Sequence, residues 1–289
     1  MSFHDFLHAM LHALGDSAKI LPFLFLTYLC MELLEHKAGD GVKKAISRAG
    51  GAGPALGGLL GLVPQCGFSA MASGLYAGRV VTVGTVLAVF LATSDEMIAV
   101  FLGEGLPPRT VFAVLAVKLA VAVVAGFAVD LVFRSRQGHL HVEELCHEQG
   151  CHCEKGIWRS ALHHTVQIFI FVFVINAVLG AVLSFVSAEQ LAATLGGIPV
   201  LGQCAAALVG LIPNCAASVA IATLYARGVL SAGAMLAGLL TGAGVGLLVL
   251  FRTNRHLREN LIFVGVLFLV GVAVGCLVDY TGLAAFLRI

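Results

Sequence analysis

Charged side chains are scarce. Lys, Arg, Asp and Glu make up 11% of the 289 residues, against about 25% in a soluble domain. With 59% hydrophobic residues and a mean hydropathy of +0.98, that scarcity excludes an ordinary water-exposed domain. Seventeen basic residues against sixteen acidic leave a net charge of +1, so there is no basic surface for a nucleic acid. A Gly-rich loop ending in Lys-Ser/Thr is absent, which disfavours ATP hydrolysis. So are C-x-x-C, H-E-x-x-H and G-x-S-x-G, and with them the local signatures of a membrane-embedded oxidoreductase or protease. The chain reads as a non-enzyme. His4, Asp5, His8, His12 and Asp16 precede the first lysine, a pattern unlike a cleavable signal, so the N-terminus is expected to be retained.

What is abundant is the apolar run. Runs at about 20–37, 81–103, 109–134, 164–187, 229–251 and 260–282 are each long enough, at 1.5 Å per residue, to cross roughly 30 Å of hydrocarbon. Between them lie two Gly- and Ala-rich stretches, 51–78 and 198–227, cut near their centres by "GLVPQCGFS" (61–69) and "GLIPNCAAS" (210–218). Each arm would reach only about 20 Å as a helix, too short to cross. Read as hairpins that return to the side they left, they put Lys37, Lys43, Lys44, Arg48, Arg79, Arg134, Arg136, Lys155, Arg159, Arg252, Arg255 and Arg258 on one face. Lys19, Arg109, Arg227 and Arg288 fall on the other, a clear positive-inside bias. Read as crossing helices, they make the two faces level, so the hairpin reading is preferred.

An offset of 149 lays Gly210 on Gly61, Pro213 on Pro64, Cys215 on Cys66, Ser218 on Ser69, Tyr225 on Tyr76 and Gly233 on Gly84. This is an internal duplication. Three full spans per half, an odd number, invert the second copy. The expected fold is an all-α polytopic membrane protein of two inverted repeats, each with three full spans and one Pro-broken re-entrant hairpin, ten apolar helical segments in all. The expected divisions are an amphipathic N-terminal helix (1–19), a first repeat (20–134), a Cys/His-rich linker (135–160) and a second repeat (161–289). Along the first of these, His4, His8 and His12 share one face, with Phe3, Phe6, Leu7, Leu11 and Leu14 toward lipid.

Proline in a buried helix frees carbonyls at mid-depth, and in lipid these must face protein or a water-filled cavity. Gln65, Cys66, Ser69, Asn214, Cys215 and Ser218 are therefore the candidate substrate-binding residues. The plain alternative, kinks lined by small residues for helix packing, is weakened because the device occurs twice at matching places. A carboxylate deep in a membrane is expensive and marks an ion path or proton relay. Asp95 and Glu96 in "TSDE" (93–96) are the candidate coupling residues, with Lys118 as an ion-pair partner and Glu32 at a cytoplasmic entrance. Asp130 and Asp279 sit near span ends and carry less weight; Cys30, Cys204 and Cys276 read as small buried residues.

The linker gathers His139, His141, Cys146, His147, Cys151, His152 and Cys153. Thiolate and imidazole suit zinc, copper(I) or another soft or borderline ion, although the spacing follows no standard zinc-finger pattern. The charge rule puts this loop in the cytoplasm, where thiols stay reduced. No other cofactor is expected.

"ELLEHK" (32–37), "PQCGFSA" (64–70), "LYAGR" (75–79), "TSDE" (93–96) and "CHCE" (151–154) together resemble the family of ten-span heavy-metal exporters. Members are labelled arsenic efflux permeases or manganese transporters. The resemblance runs over nearly the whole chain and implies an inner-membrane exporter of a metal or metalloid ion, with protons as the coupling partner and the lipid bilayer as its setting. It carries over no binding residues. Two midplane thiols favour trivalent arsenic, whereas Asp95, Glu96, Gln65 and Asn214 offer the oxygen ligands manganese prefers. The competing reading is a transporter of a small organic solute with a regulatory metal-binding loop. The oligomeric state is left open.

Overall fold

The computed structural model describes residues 50–63, 67–94, 97–133, 157–183 and 200–281, with isolated positions between 21 and 29. Glu32, Pro64, Gln65, Cys66, Asp95, Glu96, the N-terminal helix and the 139–153 loop lie outside the described residues. Among the described residues every regular element is helical. A 3-10 turn at Gly50–Ala52 leads into α1 (Gly53–Gly61), α2 (Gly67–Ala77), α3 (Val83–Ala92), α4 (Met97–Gly103), α5 (Pro108–Phe133) and α6 (Ile157–Leu183). Then come α7 (Leu201–Gly210), α8 (Cys215–Ala226), α9 (Ala232–Thr241), α10 (Gly246–Thr253) and α11 (Leu257–Tyr280).

Displaced by 149, the bounds of α1 to α5 fall on those of α7 to α11 to within two residues. The buried stripes agree as well. Val111, Val114, Lys118, Ala122 and Gly126 face inward on α5, and Asn260, Phe263, Leu267, Gly271 and Gly275 do so on α11. Their spacing of three and four residues is one face of a helix. Elsewhere these two helices are apolar and open, with Phe112, Val124 and Leu131, or Leu261, Leu269 and Leu277, exposed. Only 28% of the apolar window of each is buried, against 89% for Ala232–Thr253. α5 and α11 are therefore peripheral, and α9 with α10 forms the centre.

Among the described residues, four stretches are long and apolar enough to cross a membrane: Val83–Gly103, Pro108–Phe133, Ala232–Thr253 and Leu257–Tyr280. Two of them, expected as continuous helices, are interrupted. α3 ends where Thr93 turns out of the helix at ψ 124°, and α4 begins at Met97. α9 ends at Gly242 with ψ 74°, and Gly244 takes φ +52° before α10 starts. The left-handed turn is one glycine adopts at no steric cost.

Within each repeat, α3 packs on α1 and α5, and α9 on α7 and α11. Small residues bring these axes close: a Cβ on Gly126 would lie 2.8 Å from the Gly84 carbonyl, and one on Gly275 would lie 2.5 Å from that of Gly233. Between repeats the contacts are exchanged. α2 lies on α10, α8 lies on α4, and α3 meets α9. Each helix that follows a Pro signature thus rests on the second part of the other repeat's broken span.

Two aspartates hold the crossings in place. Asp130 accepts from the Gly84 N–H at 2.8 Å and the Thr82 hydroxyl at 2.6 Å. Asp279 accepts from the Gly233 N–H at 2.8 Å and the Ser231 hydroxyl at 2.7 Å, and also from Gln203 Nε2 at 2.7 Å. Thr82 and Ser231 are themselves N-caps, accepting from the Thr85 and Ala234 N–H groups at 3.1 Å. These carboxylates, placed by the sequence merely near span ends, satisfy helix N-termini whose donors would otherwise be orphaned.

Candidate functional site

Residues of both Pro signatures lie against the break between α9 and α10. From the first, the Ser69 hydroxyl donates to the Ala243 carbonyl at 3.3 Å. One turn on, the Ser73 hydroxyl lies 2.9 Å from both the Ser69 and Gly246 carbonyls. From the second, Ser218 Oγ lies 3.0 Å from where a Cβ on Gly242 would be. Ala70, Cys215 and Val245 also share one buried cluster, closed on one side by Ile168 and Val172 of α6. Gly246 allows this approach: a Cβ there would lie 2.7 Å from Ser69 Cβ and 3.0 Å from Phe90.

Ser69, Ser73, Thr93, Ser94, Ser218 and Thr241 are all buried hydroxyls in a largely apolar core. Thr93 donates to the Val89 carbonyl at 2.7 Å, Ser94 to Ala92 at 2.8 Å, and Thr241 to Ala207 at 2.9 Å. A hydroxyl whose proton goes to a carbonyl offers its oxygen lone pairs to whatever lies beside it. The chemistry presented is that of hard oxygen donors, with the buried Cys215 as the described thiol among the expected ligands.

Asn214 has a structural task. With φ −146° and ψ 139°, it is the N-cap of α8, and its Oδ1 accepts from the Ala216 N–H at 2.8 Å. The local sequence Pro213-Asn214 thus ends one helix and starts the next. Cys215, the first residue of α8, is buried, whereas Cys204 and Cys276, expected to be buried, are only half so.

Lys118 is wholly buried, 0% exposed, on the inward stripe of α5. It lies ten residues into that helix, about 15 Å along its axis and so near mid-depth. Its Nζ donates to the Thr93 carbonyl at 2.5 Å and to the Leu239 carbonyl at 2.8 Å. Both acceptors exist because the spans are broken. Thr93 has left the helical ladder, and the Ala243 N–H, which a continuous α9 would give to Leu239, goes instead to Thr241 at 2.8 Å. The expected Asp95 and Glu96 lie outside the described residues. The sequence signal for the second break was available in "GAG" (242–244), the counterpart of "TSD", but its apolar surroundings concealed it.

At one edge of the bundle Arg79, with φ +55°, pairs with Glu259 at 2.8 Å, and Tyr76 donates to the same carboxylate at 3.1 Å. Burial works to lower the Arg79 guanidinium, but the hydrogen bond and charge of Glu259 and the neighbouring Tyr76 outweigh it and hold it above its ordinary value. Among the described residues no three His, Cys, Asp or Glu side chains gather as a metal site.

Apolar helices of spanning length, two of them interrupted around buried polar groups, define a multi-pass helical membrane protein of the transport class. Residues 8–198 match the family described as "Putative, 10TM heavy-metal exporter". The chain belongs to that family, whose kind of function is the movement of a metal ion rather than catalysis. No curated protein and no solved structure gives a significant match.

Proposed function

We propose that this protein is an inner-membrane secondary transporter that exports a metal or metalloid ion against inward proton flow. Substrate binds between the tips of two re-entrant hairpins, at Gln65, Cys66, Ser69, Asn214, Cys215 and Ser218. The two repeats are inverted, ten apolar segments in all, and the 135–160 loop is cytoplasmic, where its cysteines and histidines capture the ion. Asp95 and Glu96, with Lys118 and Glu32, couple proton movement to release. The observation that supports this reading is that Ser69 and Ser218, one from each signature, both lie against the break between α9 and α10. Interrupted helices facing each other across repeats are the usual setting of a transporter's midplane site.

The test is uptake into inside-out proteoliposomes, metal by metal, under an imposed pH gradient. A thiophilic substrate requires that Cys66→Ser with Cys215→Ser abolish the flux of arsenite or antimonite. A manganese-type substrate requires that Asp95→Asn do more damage than Cys66→Ser. Flux of none of these ions, or flux indifferent to the gradient and to all three replacements, would reject the proposal.

A further inference from the structure

Lys118 sits among oxygen acceptors drawn from both repeats. An ammonium has no acceptor capacity and three donors, so it takes what a bound cation takes, a set of oxygen atoms pointing inward. Here two of those oxygens are main-chain carbonyls, one beside the break in each span and one from each repeat: Thr93 just after α3 and Leu239 in the last turn of α9. Main-chain carbonyls freed from a helix ladder at mid-depth need a donor or a cation, and carbonyl oxygens are ligands of hard cations. The counterpart of Lys118 on α11 is Leu267, also buried, so the second repeat supplies no such ammonium.

We propose that the Thr93 and Leu239 carbonyls form part of a cation site that Lys118 fills from within the protein, and that a divalent cation of the manganese class enters it by displacing the ammonium. Water and nearby oxygens complete the metal's shell. The tethered cation keeps the two breaks bridged when no metal is bound and prevents an empty carbonyl site at mid-membrane. Metal and ammonium carry like charge and cannot share the site, so entry of one requires departure of the other. The metal's identity rests on the transport reading above; the occupancy of the carbonyls by Lys118 does not.

The wild-type protein tests this directly. Purified in lipid nanodiscs, it is reductively methylated with isotope-labelled formaldehyde, with and without manganese(II), and each lysine is quantified by peptide mass spectrometry. Lys118 is expected to react slowly alone and several-fold faster with manganese, while Lys19, Lys37, Lys43, Lys44 and Lys155 report any general change. Labelling of Lys118 that does not respond to manganese overturns the displacement. As a second arm, Lys118→Ala removes the ammonium and three methylenes, so propylammonium should raise its melting temperature while leaving Lys118→Met unmoved. Equal responses of the two variants overturn the cation-site assignment. Manganese-dependent labelling without flux would sink the transport reading alone; flux with unresponsive labelling would sink only this inference.

Discussion

Replacing Asp279 by alanine removes the acceptor of three donors: the Gly233 N–H, the Ser231 hydroxyl and Gln203 Nε2. Replacing Asp130 removes the acceptor of two, the Gly84 N–H and the Thr82 hydroxyl. Both carboxylates are half-buried, so solvent screening brings each lost bond down to about 1 kcal/mol, the value for an ordinary hydrogen bond. Asp279→Ala should then cost about 3 kcal/mol and Asp130→Ala about 2 kcal/mol. For a chain of this size that is a fall in apparent melting temperature of roughly 6 and 4 °C. The assay is a thermal scan of detergent-solubilised protein at one fixed rate, since such unfolding is seldom reversible. Asp279→Asn, which keeps one acceptor oxygen, should recover about half the loss. Because the two carboxylates have no donor in common, the double replacement should add to within about 0.5 kcal/mol. An Asp130 variant that melts as low as the Asp279 variant, or an asparagine no better than alanine, would show that these carboxylates are not acting as the latches of α3 and α9.

Gly246→Val places branched carbon where even a single Cβ would lie 2.7 Å from Ser69 and 3.0 Å from Phe90. It should destabilise by about 3 kcal/mol or more by overpacking, seen as a sharp drop in monodisperse protein on size-exclusion chromatography, with Gly246→Ala intermediate. At Arg79, φ +55° is a strain of roughly 1 kcal/mol that glycine relieves, and the Glu259 pair is worth about the same at this exposure. Arg79→Gly should therefore melt within a few degrees of wild type and clearly above Arg79→Ala. The inverted arrangement requires Arg79→Cys and Arg227→Cys to be labelled by an impermeant maleimide from opposite sides of the membrane; labelling from the same side would dismantle it.

The helical segments could be read from composition and period because each repeat keeps the same inward stripe, and Pro64, Pro213 and the offset of 149 announced the interrupted stretches. The breaks inside 81–103 and 229–251 could not be read so easily. A helix may end in the middle of an apolar run if its freed carbonyls find a donor, and the donor for both is Lys118, which lies in a different segment. Likewise, Asp130 and Asp279 looked like solvated end residues because their partners, Gly84 and Gly233, are backbone donors with no side chain to betray them. Asn214 is a candidate ligand because it is polar and sits in the second Pro signature. Its capping of Ala216 follows from its place immediately before a helix, a rule that applies equally to soluble proteins.

The substitution of Leu267 for Lys118 across the duplication has a developmental meaning for the molecule. Two identical halves assembled as a symmetric pair would have to present either two ammonium groups at the shared centre or none. Joining the halves in one polypeptide lifts that constraint: one copy can carry the charge at this position while its twin keeps a leucine there. A second lysine at position 267, restoring that symmetry, would set two ammonium groups in one core and should be punished.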